Sequence, residues 1–256
     1  MSPVGSTQDY HALLEAYLRQ LGLQAFLQSY PSYAADAARN GLSFERFLLG
    51  LCEAEIADRE AKRIETAIRR ARLPFQREIT EYDFEAVENI SKTLFLELAQ
   101  GGYMDRAENL ILVGNPGLGK THLAIGLALC ACRQGKRVRF YKTAALINDL
   151  QVAQKKLTLS SFVARFTRLD LLILDELGFI AVDKAGGQLL FQLVSDLYEQ
   201  VSLIITSNLR FGDWNSIFAD PTLTTAFLDR LTHKGRIVEF VGESYRYRHR
   251  LQQEGA

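Results

Sequence analysis

Gly114-Asn115-Pro116-Gly117-Leu118-Gly119-Lys120-Thr121 lies between a short aliphatic run, Leu110-Ile111-Leu112-Val113, and a Leu/Ala-rich stretch from His122 to Gln134 that closes on Gly135. Two glycines bracketing four residues, with Lys-Thr behind them, fit the Walker A pattern. The aliphatic run reads as a buried strand and the stretch after the loop as a helix. A glycine-rich turn between strand and helix aims backbone N–H groups and the positive end of the helix dipole at one point. A triphosphate is the natural occupant. Lys120 then reaches the β- and γ-phosphates, and the Thr121 hydroxyl ligates Mg2+. A chance Gly-Lys-Thr in a surface turn would lack these two flanks.

A second acidic site supports the first. Leu171-Leu172-Ile173-Leu174 forms another apolar run, with Asp175-Glu176 at its carboxyl end. In open parallel sheets ligands sit beyond the carboxyl ends of the strands, so these carboxylates and the loop share one edge. Asp175 is the expected magnesium holder, in the manner of a Walker B aspartate, and Glu176 the base that polarises the attacking water. A third run, Leu203-Ile204-Ile205-Thr206, ends in Ser207-Asn208. The Asn208 amide can orient the lytic water or sense the γ-phosphate; an ordinary Asx turn is the plain alternative.

Composition bounds the rest. The 256 residues are 48% hydrophobic, enough for one large core and a smaller one. Thirty Lys and Arg balance thirty Asp and Glu, so any nucleic-acid contact must come from local patches. No apolar run has membrane-spanning length, and residues 1–8 lack a signal pattern. Three cysteines, at 52, 130 and 132, have no metal-ligand spacing and suit reduced thiols in a cytoplasm.

The reading divides the chain near residue 80. The expectation is a helical amino-terminal domain over 1–80 and an ATPase domain over 81–256 with a short carboxyl-terminal tail. Leu13, Leu14, Tyr17, Leu18 and Leu21 recur at helical spacing up to Gly22, and Ser43 is placed to cap a long helix that Pro74 stops. From Lys62 to Arg77 six bases, Arg69 and Arg70 among them, face one acid, Glu65. They form either a solvated helix face laced with ion pairs or a contact to a phosphate backbone. After residue 80, apolar runs at 110–113, 138–141, 171–174, 202–206 and 237–240 alternate with helical stretches. Alternation of this kind predicts an α/β fold with a parallel five-stranded sheet sandwiched by helices. One of those helices should start at Asp220 as N-cap, with Pro221 in its first turn. An extra stretch at 143–168 carries Lys155, Lys156, Arg165 and Arg168 and is long enough for two helices. It either lines a channel in an assembled ring or decorates the fold with solvated bases.

The chain resembles the IstB-like transposition helper ATPases, relatives of the DnaC and DnaI helicase loaders in the initiator clade of AAA+ proteins. The resemblance covers nearly the whole chain. It rests on 110–114 with 119–124, Leu174-Asp175-Glu176-Leu177-Gly178, Gly187 to Ser195, Thr206-Ser207-Asn208-Leu209, Trp214 to Phe218, Leu228-Asp229-Arg230-Leu231 and Gly242-Glu243-Ser244-Tyr245-Arg246. It implies an AAA+ P-loop ATPase with ATP and Mg2+ as cofactors, the nucleotide held by Gly114, Asn115, Pro116, Gly117, Leu118, Gly119, Lys120, Thr121 and His122. Asn208 matches the first sensor. Arg230 matches the arginine finger that reaches a neighbour's γ-phosphate, and Arg246 the second sensor, a role open also to Arg248 and Arg250. Phe84 and the 82–85 stretch are placed by position near the base. The 143–168 stretch looks like the initiator-specific insertion that contacts DNA, and the amino-terminal helices like the family's module for self-association and partner contact. The implied partners are duplex DNA, the transposase of the same mobile element and further copies of the chain. A replicative helicase loader is the alternative, and preference for single strands would mark it. A P-loop small-molecule kinase would need an acceptor pocket and a mobile lid, for which the sequence shows no signal.

Overall fold

The computed structural model describes residues 7–87, 89–179, 182–218 and 220–242. The chain divides into two compact units, Met1–Glu65 and Thr66–Ala256.

The first unit consists of α1 (Thr7–Gln20), α2 (Gln24–Asn40) and most of α3 (Phe44–Ala71), whose residues from Thr66 onward count with the second unit. Ser43 caps α3 by accepting the Arg46 N–H at 3.3 Å. No side chain at Leu23 caps α2. Instead Glu55, buried on α3, accepts the N–H groups of Ala25 (2.9 Å) and Phe26 (3.4 Å), while Arg59 Nε donates to its other oxygen at 2.7 Å. A buried carboxylate is tolerable because these donors replace its water. Leu18, Tyr30 and Leu51 form the core of this unit, whereas Leu13, Leu14, Tyr17 and Leu21 are exposed. Lys62 pairs with Asp58 and Arg63 with Glu60, so the first two of the 62–77 bases belong to a solvated, ion-paired helix face.

In the second unit a 3-10 turn (Ile79–Glu81), α4 (Lys92–Leu98) and α5 (Gly102–Asp105) lead into β1 (Asn109–Gly114) and α6 (Lys120–Arg133). There follow β2 (Val138–Lys142), α7 (Thr143–Lys155), α8 (Leu159–Val163), β3 (Leu171–Leu177) and α9 (Lys184–Leu197). The unit continues with β4 (Ser202–Ser207), a 3-10 stretch at Phe211–Ser216, α10 (Pro221–His233) and β5 (Gly235–Phe240). The five strands pair in parallel in the order β2-β3-β4-β1-β5. Alternation decides the layers. Leu110 and Leu112 of β1 join the core under α4, α5 and α6, while Ile111 and Val113 join the core under α7, α9 and α10. Asp220 caps α10 as the sequence predicts, accepting from Thr222 and Leu223 N–H. The 143–168 stretch forms α7 and the single-turn α8. Among the described residues no helix is long and apolar enough to cross a membrane.

Candidate nucleotide site

The loop between β1 and α6 has a shape only glycine permits at two points. Gly114 has φ +133°, and a β-carbon there would strike the Phe240 carbonyl; Gly119 has φ +84°, and a β-carbon there would strike the Tyr82 ring. Lys120 is buried, and its Nζ donates to the carbonyls of Gly114 (2.6 Å) and Asn115 (2.7 Å). The ammonium is thus held at the mouth of the loop that a phosphate would enter. From outside, the Tyr82 hydroxyl donates to Leu118 O at 2.7 Å, and burial pushes its ionisation well above the ordinary phenol range. Tyr82 meets Phe84 edge-on at 4.8 Å and His122 at 5.5 Å. His122 Nε2 lies 2.8 Å from Glu78 O, and Glu78 pairs with Arg133 of the same helix. The 3-10 turn is therefore fastened to α6 directly behind the loop.

Strand order supplies the rest. β4 lies between β1 and β3, so the end of β4 stands between the loop and the acidic pair. Thr121 Oγ1 donates to Asp175 Oδ1 at 2.7 Å, and Thr206 Oγ1 donates to the same oxygen at 2.6 Å. Thr143 Oγ1 donates to the Asp175 carbonyl at 2.9 Å. Burial raises the Asp175 carboxyl above its usual range, and the two threonine hydroxyls pull it part of the way back. A buried carboxylate oxygen beside a hydroxyl suits a hard divalent ion. Mg2+ takes one or two protein oxygens and fills its other positions with water and phosphate.

The pairing of β3 with β4 slips at this point: Leu174 faces Ile205 and Leu177 faces Ser207. Asp175 and Glu176 therefore share the single partner Thr206, and Glu176 has φ +61°. The bulge turns the second carboxylate off the strand's regular alternation. Its N–H donates to Thr206 Oγ1 at 3.0 Å, and its carboxylate accepts from Lys142 Nζ at 3.1 Å. The turn after β4 is made by Ser207, whose hydroxyl donates to Leu177 O and accepts from Leu209 N–H. The Asx alternative for Asn208 is not what forms, and its half-buried amide makes no hydrogen bond among the described residues.

Lys120, Thr121, Asp175, Glu176 and Asn208 thus converge at one end of the sheet. Other expected residues do not. Arg230 Nη1 donates to Ala226 O of its own helix at 3.0 Å, and its guanidinium lies 4.6 Å from the Phe191 ring centre. Lys155, Lys156, Arg165 and Arg168 lie exposed on and around α7 and α8; Arg69 and Arg70 lie exposed at the end of α3. Arg246, with Arg248 and Arg250, lies outside the described residues. Thr206, Lys142 and Thr143 were missed by sequence reasoning, and Tyr82, within the 82–85 stretch placed near the base, holds the loop carbonyl of Leu118. Thr206 and Lys142 each end an apolar run, a usable signal, but only the strand order shows which carboxylate each one meets.

This architecture is that of an AAA+ P-loop protein: a parallel sheet, a glycine loop opening a helix, and an acidic pair two strands away. Solved structures agree on the fold. The chain is similar to DnaA from Aquifex aeolicus in its AMPPCP-bound form (TM-score 0.56, 19% identity, 71% of this chain and 56% of that one). It is also similar to DnaI (0.54, 15%, 66% and 89%) and the DnaC helicase loader (0.51, 19%, 64% and 96%). A family model described as IstB-like ATP binding protein matches residues 16–253. The chain belongs to that family. A relative from Sinorhizobium fredii, named as an insertion-sequence ATP-binding protein, is 39% identical over 98% of this chain and 85% of its own length. Relatives so named from insertion sequence IS5376 of Geobacillus stearothermophilus and IS21 of Pseudomonas aeruginosa are each 36% identical. They cover 94% and 91% of this chain, and 96% and 88% of their own length.

Proposed function

We propose that this chain is an ATP-hydrolysing helper of transposition that acts in the cytoplasm: with ATP it assembles on duplex DNA, and the assembly recruits or stimulates the transposase of its own element. The observation that carries the reading is the cluster of Lys120, Thr121, Asp175 and Glu176 at one strand end, with Arg230 bonded instead to a carbonyl of its own helix. A site of that kind is completed by a second copy.

In this reading Lys120 leaves the Gly114 and Asn115 carbonyls for the β- and γ-phosphates, and Thr121 and Asp175 hold magnesium. The metal, when bound, neutralises charge on the transferring phosphoryl group. Glu176, freed from Lys142, accepts a proton from the attacking water, and Asn208 orients that water. Arg230 of a neighbouring copy neutralises the remaining charge, a contribution of about 10³–10⁵ in rate. Identity of 36–39% to insertion-sequence relatives over nearly the whole chain favours transposition over helicase loading. The test is anisotropy on duplex and single-stranded DNA with ATP, with ADP and without nucleotide, across a salt series. ATP-dependent, salt-sensitive, sequence-tolerant duplex binding is expected. Equal duplex affinity in all three nucleotide states would refute the proposal, and single-strand preference with capture of a hexameric helicase would transfer it to the loaders.

A further inference from the structure

Leu157, at the turn between α7 and α8, has 94% of its surface exposed and a backbone φ of +55°. Both features are locally unfavourable. The left-handed region crowds a β-carbon, and the position just past a helix end ordinarily takes glycine. The hydrogen bonds show why the backbone adopts it: Leu157 N–H donates to Gln154 O (3.0 Å) and Thr158 N–H to Ala153 O (2.8 Å), the paired closure of a helix carboxyl end. They do not explain why the residue is leucine.

The turn is stiff. Ser161 Oγ donates to Thr158 O at 2.9 Å, and Phe162 N–H donates to the same carbonyl at 3.0 Å. Val163 and Phe166 anchor α8 in the core, with the Phe162 ring 5.3 Å from that of Phe166. Leu157 is therefore exposed on a turn whose following helix is packed in the core. Lys155 and Lys156 precede it directly, and Arg165 and Arg168 follow α8. All four are exposed, and none forms an ion pair among the described residues. Asp149 is the one acid between 143 and 168.

Resting on the DNA-binding reading above, we propose that Leu157 is a wedge. It enters the minor groove between base pairs at a flexible pyrimidine–purine step, while Lys155 and Lys156 take the flanking phosphates. An apolar side chain raised between cations matches that chemistry: wedges of this type unstack a base step and kink the duplex, and cations neutralise its backbone. An apolar protein surface would leave the cations on both sides of the leucine unpaired, whereas the two phosphate backbones of a duplex match them. With one wedge per copy, assembly along the duplex would accumulate bend.

The experiment uses the full chain with ATP and Mg2+ on a short duplex carrying 2-aminopurine at repeated pyrimidine–purine steps. Anisotropy reports binding and 2-aminopurine fluorescence reports unstacking. The unaltered chain should at least double the fluorescence, and Leu157→Phe should keep that rise. Leu157→Gly, which relieves the backbone strain, should bind within a few-fold of the unaltered chain and leave fluorescence at the free-duplex level. The double variant Lys155→Ala, Lys156→Ala should flatten the log–log salt slope by about 1.8, the share of two phosphates. Duplex binding without a fluorescence rise, or a full rise with Leu157→Gly, overturns the wedge and leaves the DNA reading intact. Failure of the unaltered chain to bind duplex overturns both. A Leu157→Gly chain with a full rise that fails to capture the transposase makes the turn a protein contact, and again overturns the wedge.

Discussion

Cations at the strand-end edge and cations on the helical surface are in opposite conditions. Lys120 donates to two loop carbonyls and Lys142 to Glu176, while Arg230 bonds its own helix and Lys155, Lys156 and Arg168 face solvent. A pocket for a small ligand can be built within one chain, and its groups find interim partners when empty. On the helical surface Arg230 has a partner within its own helix, whereas Lys155, Lys156 and Arg168 are exposed and form no ion pair among the described residues. Under the proposed function, the contrast separates nucleotide binding by one copy from the proposed contacts to neighbours and DNA.

The sharpest way to break that contrast is Arg230→Ala. Turnover of the DNA-assembled protein should fall by about 10³–10⁵, with ATP affinity by calorimetry unchanged. Mixing it with Glu176→Gln should restore part of the rate at hybrid interfaces; no recovery at any ratio would assign Arg230 to its own site. Glu176→Gln alone should lower turnover by about 10²–10⁴ while light scattering still shows ATP-driven assembly. Loss of assembly would mean that Glu176 serves binding as well as water activation. Lys120→Ala should weaken ATP by about 100-fold or more, the loss of two charge-assisted hydrogen bonds at about 1.5 kcal/mol each, and assembly should disappear with it. Near-normal affinity in calorimetry would place the phosphates elsewhere.

The smallest effect concerns a group that departs from the rule of satisfied burial. The Tyr103 hydroxyl is buried and has no hydrogen-bond partner among the described residues. Tyr103→Phe should raise stability by about 1 kcal/mol, because an unpartnered buried hydroxyl costs that much or more. A lower denaturation midpoint would reveal a partner for it.

The order of strand, loop and helix around 110–134 was legible because each signal is local. Four aliphatics make a strand, glycines permit the loop, and a Leu/Ala face makes the helix. The acidic pair and the Asp220 cap were legible for the same reason. The fate of Leu13, Leu14, Tyr17 and Leu21 was not, since helical spacing says that a face exists and not what covers it. At Ser207-Asn208 the side chain that accepts a turn N–H is that of Ser207, from Leu209, and not that of Asn208.

Sequence by itself determined that a phosphate loop opens α6 and that two carboxylates end a strand, since each depends on residues within a few positions of one another. Tertiary structure alone decided that β4 stands between them. It thereby set Thr206 against both Asp175 and Glu176, as the pairing of β2 with β3 set Lys142 against Glu176 and the packing of the 3-10 turn set Tyr82 against the loop. Those contacts join residues 30 to 36 positions apart, and the strand neighbours among them are chosen by burial of a whole sheet. No local pattern encodes that choice.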